Sequence, residues 1–249
     1  MPRIAVMSDI HGNLEALEAV LRAIDGEGAD HLIHLGDMVG YNANPCECIA
    51  MSRERKMVSI LGNHDLAAID LQTADSLNMI AHEAIRFVRR QLGAEHLKHL
   101  RGLSRVEVFW DKYLLCHGAP ENIEAYIVNM FQAKRVFNLL RKCYAGIRVC
   151  FFGHTHVQRL WMCDERGKVS SPPNLSNGIP LSPQRAYLIN PGSVGQPRQG
   201  NNRAHYLLFD SDEEIVRFRA VPYDIGRAQE KILQARLPAY LAERLSDGI

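Results

Sequence analysis

This sequence has almost no excess of charge of either sign: 29 lysines and arginines stand against 28 aspartates and glutamates, a formal net charge of +1 over 249 residues. It therefore carries no global basic field to hold a nucleic-acid backbone and no Lys/Arg-rich run to form a groove, so a nucleic-acid polymer is not an expected partner and any attraction for an anion must be local. Long apolar runs are missing too. The opening stretch Met1-Pro2-Arg3-Ile4-Ala5-Val6-Met7 is too short for a signal segment, and polar residues interrupt every later run before membrane-spanning length. A cytoplasmic location with no membrane partner is the expectation. Cysteine is sparse, six in all, mostly inside apolar runs where a reduced thiol packs as a small hydrophobe. Only Cys46-x-Cys48 has a spacing suited to metal or redox chemistry. No internal repeat or low-complexity tract occurs. What is present, 47% hydrophobic and 23% charged residues, suits a folded globular chain and excludes intrinsic disorder.

Val, Ile and Leu runs alternate with helix-period segments through the first half, the pattern of an α/β domain whose strands are covered on both faces. Residues 3–8 read as a strand, after which Leu14, Leu17, Val20, Leu21 and Ile24 recur at helical spacing, with Asn13 placed to cap the helix and Gly26 to stop it. Residues 31–35 and 57–61 predict further strands, and 45–55 a helix with Pro45 at its first position. A helical cap outside the sheet is expected at about 66–102, with Ile80, Ala84, Phe87, Val88 and Leu92 on one stripe. Strands at 105–109, 112–116 and 149–152 and a helix at 129–141 follow. The short runs 160–164, 186–190, 204–210 and 214–220 predict an antiparallel second sheet, the proline-rich stretch 170–183 a surface loop, and 224–245 a closing helix broken at Pro238. A single domain spanning 1–249 fits this order best.

Five short polar clusters each follow an apolar run: Asp9-Ile10-His11, Gly36-Asp37, Gly62-Asn63-His64-Asp65, His117-Gly118 and Gly153-His154-Thr155-His156. Strand ends are where α/β sheets place their sites. Asp65 aside, the clusters together offer two carboxylates, one amide and five imidazoles, a mixed N/O set suited to Mn, Fe, Zn or Ni more than to Mg or Ca. In Asp9-x-His11 and His154-x-His156 the side chains stand two residues apart, so in an extended chain they reach the same ion or adjacent ions. The glycines leave room where the backbone must turn close to the site.

The ordered set D-x-H, G-D, G-N-H-D, H-G and G-H-T-H resembles the calcineurin-like metallophosphoesterase superfamily, in its small bacterial-type phosphodiesterase branch. The resemblance covers Asp9 to His156 and extends in pattern to the 190–198 stretch, Asn190-Pro191-Gly192-Ser193-Val194-Gly195-Gln196-Pro197-Arg198. It implies a four-layer α-β-β-α sandwich with two mixed β-sheets and a dinuclear site of divalent transition metals at the strand ends. Carried over by position, Asp9, His11 and His156 hold one metal, Asn63, His117 and His154 the other, and Asp37 bridges. His64 matches the family's outer-sphere histidine, which contacts the phosphate and can protonate the leaving oxygen. The string Gly36-Asp37-Met38-Val39-Gly40-Tyr41 departs from the G-D-x-x-D-R of the Ser/Thr protein phosphatases, lacking the carboxylate that orients that histidine and the arginine for the phosphate. Asp65 is then the candidate to orient His64, Arg198 to supply the cation, and Tyr41 to offer a face for a base or aromatic leaving group.

Two divalent ions balanced by Asp9, Asp37 and a bridging hydroxide leave a centre of about +1, for which a phosphate ester is the natural guest. The expected activity is hydrolysis of a small phosphodiester, of cyclic nucleotide or dinucleoside polyphosphate type, by attack of a metal-bridging hydroxide. A phosphomonoesterase is the alternative, ahead of a nuclease or a non-enzymatic scaffold with a degenerate site. The remaining histidines, His31, His34, His82, His96, His99 and His205, read as surface or packing residues.

Overall fold

A computed structural model describes residues 2–175 and 178–249. The chain enters through β1 (Arg3–Met7), α1 (Leu14–Glu27), β2 (His31–His34), α2 (Pro45–Glu54) and the short β3 (Val58–Ser59). A helical stretch follows: α3 (Asn63–Ile69), a 3-10 turn (Leu71–Ser76), α4 (Met79–Gln91) and α5 (Ala94–Arg101). Then come β4 (Val106–Phe109), β5 (Tyr113–Cys116), α6 (Met130–Cys143), β6 (Val149–Phe152), β7 (Gln158–Cys163), β8 (Val169–Ser170) and β9 (Ile179–Pro180). The last elements are β10 (Ala186–Pro191), β11 (Ala204–Asp210), β12 (Ile215–Val221), α7 (Ile225–Gln234) and α8 (Ala239–Asp247).

Two mixed six-stranded sheets result, ordered β3-β2-β1-β11-β12-β9 and β4-β5-β6-β10-β7-β8. Strand alternation explains how they pack. In β1, Ile4 and Val6 join a core between the sheets with Leu115, Phe151, Ile189 and Phe209. Ala5 and Met7 point the other way, onto Leu17, Val20 and Ile24 of α1 and onto residues of α4, α5, α7 and α8. On the far side of the second sheet, Leu114, Cys116, Cys150 and Phe152 pack under Val136, Phe137 and Leu140 of α6. Burying each such Leu, Ile or Phe is worth roughly 1.5–3 kcal/mol, so these three interfaces fix the four layers.

Several expectations are corrected. The four late strands do not form one antiparallel sheet: β7 and β10 belong to the second sheet, whereas β11 and β12 join the first, β11 pairing antiparallel with β1. Alternation tells which face of a strand is buried and not which sheet receives it. Gly26 does not stop α1. Gly28 does, at φ 68°, with its N–H bonded to the Ile24 carbonyl. The third strand shrinks to Val58–Ser59, continued by a single bridge from Ile60 to Ser104. The proline-rich stretch is mostly loop, yet Val169–Ser170 and Ile179–Pro180 pair at sheet edges, where proline is tolerated; Ser176 and Asn177 lie outside the described residues. Asn13, Asn129 and Asp224 all cap the helices they precede. All six cysteines are free, and Cys46 and Cys48 do not converge: the Cys46 thiol donates to the Gln91 carbonyl while Cys48 is buried in the core. No helix among the described residues is long and apolar enough to cross a membrane.

Candidate active site

Parallel pairing brings the polar clusters together. β1, β2 and β3 run parallel, as do β5, β6 and β10, so their C-terminal ends open on one edge of the sandwich. Asp9 and His11 follow β1, Asp37 follows β2, His117 follows β5, and His154 and His156 follow β6, while Asn63 and His64 form the first turn of α3. The turns are tight enough to hold Asp9, His11, Asp37, Tyr41, His154 and His156 at φ between 50° and 66°. That left-handed region costs an L-residue roughly 1–2 kcal/mol. Crossed backbone bonds offset it: Asp9 N–H to Gly36 O at 3.1 Å, His11 N–H to Asp37 O at 2.9 Å, and Gly153 N–H to His117 O at 2.8 Å. Neighbouring loops approach too closely for side chains at several of the glycines, Gly36 and Gly62 among them. A Cβ at Gly36, itself at φ 91°, would lie 2.7 Å from the Gly62 nitrogen, and one at Gly62 would lie 2.1 Å from the Asp37 nitrogen.

Three groups of ligand-type atoms converge, Asp9 with His11 and His156, Asp37 with His117 and His154, and His11 with Asp37 and His64. Asp37 Oδ2 stands between the first two, 3.6 Å from His11 Nε2 and 3.3 Å from His117 Nε2, and Asn63 Oδ1 lies 3.1 Å from the same His117 atom. Backbone carbonyls fix the imidazoles. His11 Nδ1 meets Val39 O at 3.1 Å, His117 Nδ1 meets Leu35 O at 2.7 Å and His156 Nδ1 meets Gln196 O at 2.6 Å. A carbonyl can only accept, so each Nδ1 carries the hydrogen and, in the neutral ring, each Nε2 turns a lone pair inward. His154 is reversed: its Nε2 donates to Glu124 O at 3.1 Å, leaving Nδ1 to face the cluster.

This donor set fits divalent cations. The His11 and His156 Nε2 atoms sit 3.1 Å apart with no hydrogen for either when both rings are neutral, and Asp9 Oδ1 is buried without a hydrogen-bond partner. Lone pairs and a carboxylate oxygen crowded in this way call for a positive charge among them. At Asp9, His154 and His156 the protonation equilibria agree. Burial pushes the Asp9 carboxyl up to about 7, as expected of a carboxylate short of countercharge. Burial and the Arg198 charge hold His156 well below the usual imidazole range, and burial with the His117 charge lowers His154 to about 3, so both are unprotonated lone-pair donors. Burial also opposes charge on Asp37 and His117, but their mutual attraction prevails: His117 is raised to about 10 and Asp37 is held well below the carboxylate range.

His64 adjoins the cluster, with a ring nitrogen within 4.8 Å of ligand atoms of His11 and Asp37. Its backbone N–H donates to Asp37 Oδ1 at 2.8 Å, while its buried Nδ1 has no partner. Burial lowers its pKa, so the imidazole is less readily protonated than a free one. The candidate for orienting it is corrected here: the Asp65 carboxylate accepts from the backbone N–H groups of Asp37 (2.8 Å), Val39 (3.0 Å) and Gly62 (3.0 Å), tying the two loops together instead. Arg198 borders a cavity of about 370 Å³ in front of the cluster, with Nη2 on Gln196 Oε1 at 2.8 Å and a buried Nε that lacks a partner. Tyr41 borders it as well, but its ring is only 6% exposed, wedged 4.6 Å from both His11 and His64. The open aromatic face belongs to Tyr126, 50% exposed and 4.3 Å from His154. Sequence reasoning missed Tyr126, Glu124, Ser76 and Asn78, which line the same cavity from loops and a helix start, where no periodicity marks them.

These features define a phosphoesterase class of protein. The family model for the calcineurin-like phosphoesterase superfamily domain matches residues 2–214, and the chain belongs to that superfamily. It is 38% identical over 251 residues to the uncharacterized protein MJ0912 of Methanocaldococcus jannaschii, with 98% of each chain covered. It is 27% identical to phosphodiesterase YfcE of Escherichia coli K12, over 85% of this chain and 89% of that one. Among solved structures, a metallophosphoesterase from Sphaerobacter thermophilus matches with a TM-score of 0.84 and 37% identity, covering 100% of this chain and 99% of its own.

Proposed function

We propose that the chain is a dinuclear metal-dependent phosphohydrolase that cleaves a small phosphodiester, of cyclic nucleotide or dinucleoside polyphosphate type. The observation that carries this reading is the inward convergence of hydrogen-free imidazole nitrogens on a partnerless carboxylate oxygen at Asp9, His11 and His156. In it, Asp9, His11 and His156 hold one divalent ion of Mn, Fe, Zn or Ni, Asn63, His117 and His154 hold a second, and Asp37 serves both. Such ions supply Lewis acidity, binding phosphate oxygens, lowering the pKa of water and offsetting charge in an in-line displacement. The chain's own side chains do the rest. His64 hands a proton to the departing oxygen, Arg198 holds a non-reacting phosphate oxygen, and Tyr126 supports the leaving group. The domain is read as one unit spanning 1–249, with 66–102 as its helical cap, working in the cytoplasm.

A diester is favoured over a monoester because the missing G-D-x-x-D-R pair leaves Arg198 as the cation beside the cluster, too little for a dianion. The phosphodiesterase name of the Escherichia coli relative supports the same choice. The test is a paired assay of Mn-reconstituted protein on bis(p-nitrophenyl) phosphate and p-nitrophenyl phosphate. A higher kcat/KM on the diester is expected; a strong monoester preference overturns the substrate class, and hydrolysis of neither overturns the enzyme reading.

A further inference from the structure

A second cavity, of about 540 Å³, adjoins the first and shares Tyr41, Asn78, Tyr126 and Arg198 with it. Its outer wall comes from Met79 at the start of α4 and from Tyr240 and Arg244 of α8. α8 lies beyond residue 214, where the family match ends. Two features make it more than a surface dent. The first is charge: Arg198 and Arg244 both face it, and among the described residues neither forms an ion pair with an Asp or Glu side chain. Each guanidinium rests on a tyrosine ring instead, Arg198 at 5.9 Å over Tyr41 and Arg244 at 5.4 Å over Tyr240, which orients the fork without consuming its hydrogens. Arg244 Nε is anchored on Ile249 O at 2.6 Å. Burial and the nearby Arg198 make its charge less favourable than in water. Two like charges brought to one cavity mouth are stabilised by an anion between them. The second feature is apolar surface: Met79 is 88% exposed, Tyr126 50% and Tyr240 46%, an unpartnered ledge around the two arginines.

We infer that this outer cavity is a second-phosphate subsite, so that the preferred substrate is a nucleotide in which the phosphate at the metal cluster is joined to a further phosphate held between Arg198 and Arg244, with its base against Tyr126, Tyr240 and Met79. The inference rests on the phosphohydrolase reading and narrows it, since a cyclic nucleotide, with a single phosphate, leaves Arg244 unused. The outer phosphate receives charge-assisted hydrogen bonds from planar forks suited to its oxygens.

Two measurements on the full-length, Mn-loaded protein separate this idea from the reading beneath it. Turnover of bis(p-nitrophenyl) phosphate by the wild-type protein tests the reading alone, because that ester has one phosphate. Calorimetric binding tests the subsite, with adenosine 5′-(α,β-methylene)diphosphate compared against AMP. The wild-type protein should bind the diphosphate analogue about tenfold or more tightly than AMP, the worth of one charge-assisted hydrogen bond, and Arg244→Gln should reduce that ratio to below threefold. Arg244→Lys, which keeps the charge and the packing of the stem, should give an intermediate ratio and serves if the glutamine variant unfolds. Equal binding of the two nucleotides by the wild-type protein, or a ratio unchanged in both variants, overturns the subsite even where diester hydrolysis is intact.

Discussion

At His64 the chemistry turns on one buried, unpartnered nitrogen next to His11 and Asp37. Burial lowers its pKa, so it carries a proton at neutral pH only when an anion compensates, which a bound phosphate does. His64→Ala should therefore keep both metals and lose activity according to how much the leaving group needs a proton. Nitrophenolate departs unprotonated, and its hydrolysis should fall modestly; a ribose alkoxide does not, and there the loss should reach about 10² to 10⁴-fold. Equal losses on both substrates with metals retained would assign His64 an electrostatic role, and lost metal would make it a ligand. The sequence shows the ligand residues because each is a polar pair or triplet interrupting an apolar run. Tyr126 and Arg244 are invisible there, since each is a lone residue whose importance comes only from the neighbour the fold delivers.

Between elements, Asp65 does for two loops what no single strand can. Its carboxylate takes three backbone N–H groups, two from the Asp37–Val39 turn and one from Gly62, so the turn carrying Asp37 is pinned to the helix start carrying Asn63 and His64. Asp65→Asn places an amide NH₂ against at least one of those N–H donors. We expect about 2–3 kcal/mol of lost stability in denaturant titrations, together with weaker metal binding although Asp65 touches no metal. Unchanged metal affinity would show that the two loops hold their positions without it. Element identity was legible from periodicity: β6 and β11 match the expected spans 149–152 and 204–210, and α2 starts at Pro45 as its N1 proline requires. Sheet membership was not, because β11 reaches β1 across most of the chain and nothing local in residues 204–210 encodes that partner. The continuation of α1 past Gly26 to Glu27 went unseen because a helical glycine costs only about 1 kcal/mol, less than the packing that carries the helix on to its cap at Gly28.

Over the whole molecule, several buried histidines link stability to pH, and His205 is the one clear of the metal cluster. Burial lowers it from 6.5 to about 4. The unfolded chain thus binds a proton that the folded chain refuses between those values, so stability is full above about 6.5 and declines as pH falls toward 4. His205→Gln should reduce the stability difference between pH 7 and pH 4.5 by about 2 kcal/mol relative to the wild-type protein, measured by urea unfolding with metals removed. Identical profiles would place the acid sensitivity elsewhere. The four-layer architecture matters to function because it aligns the C-terminal ends of six parallel-running strands, β1, β2, β3, β5, β6 and β10, on one edge, where residues far apart in sequence share a cluster of ligand atoms. That cluster is the centre of the account, and metal stoichiometry tests it most directly. Elemental analysis of Mn-reconstituted, desalted protein should find two ions per chain, and Asp37→Asn, which halves the carboxylate charge offsetting them, should lose most of both. One ion or none in the wild-type protein, or full occupancy in Asp37→Asn, would contradict a dinuclear site bridged by Asp37.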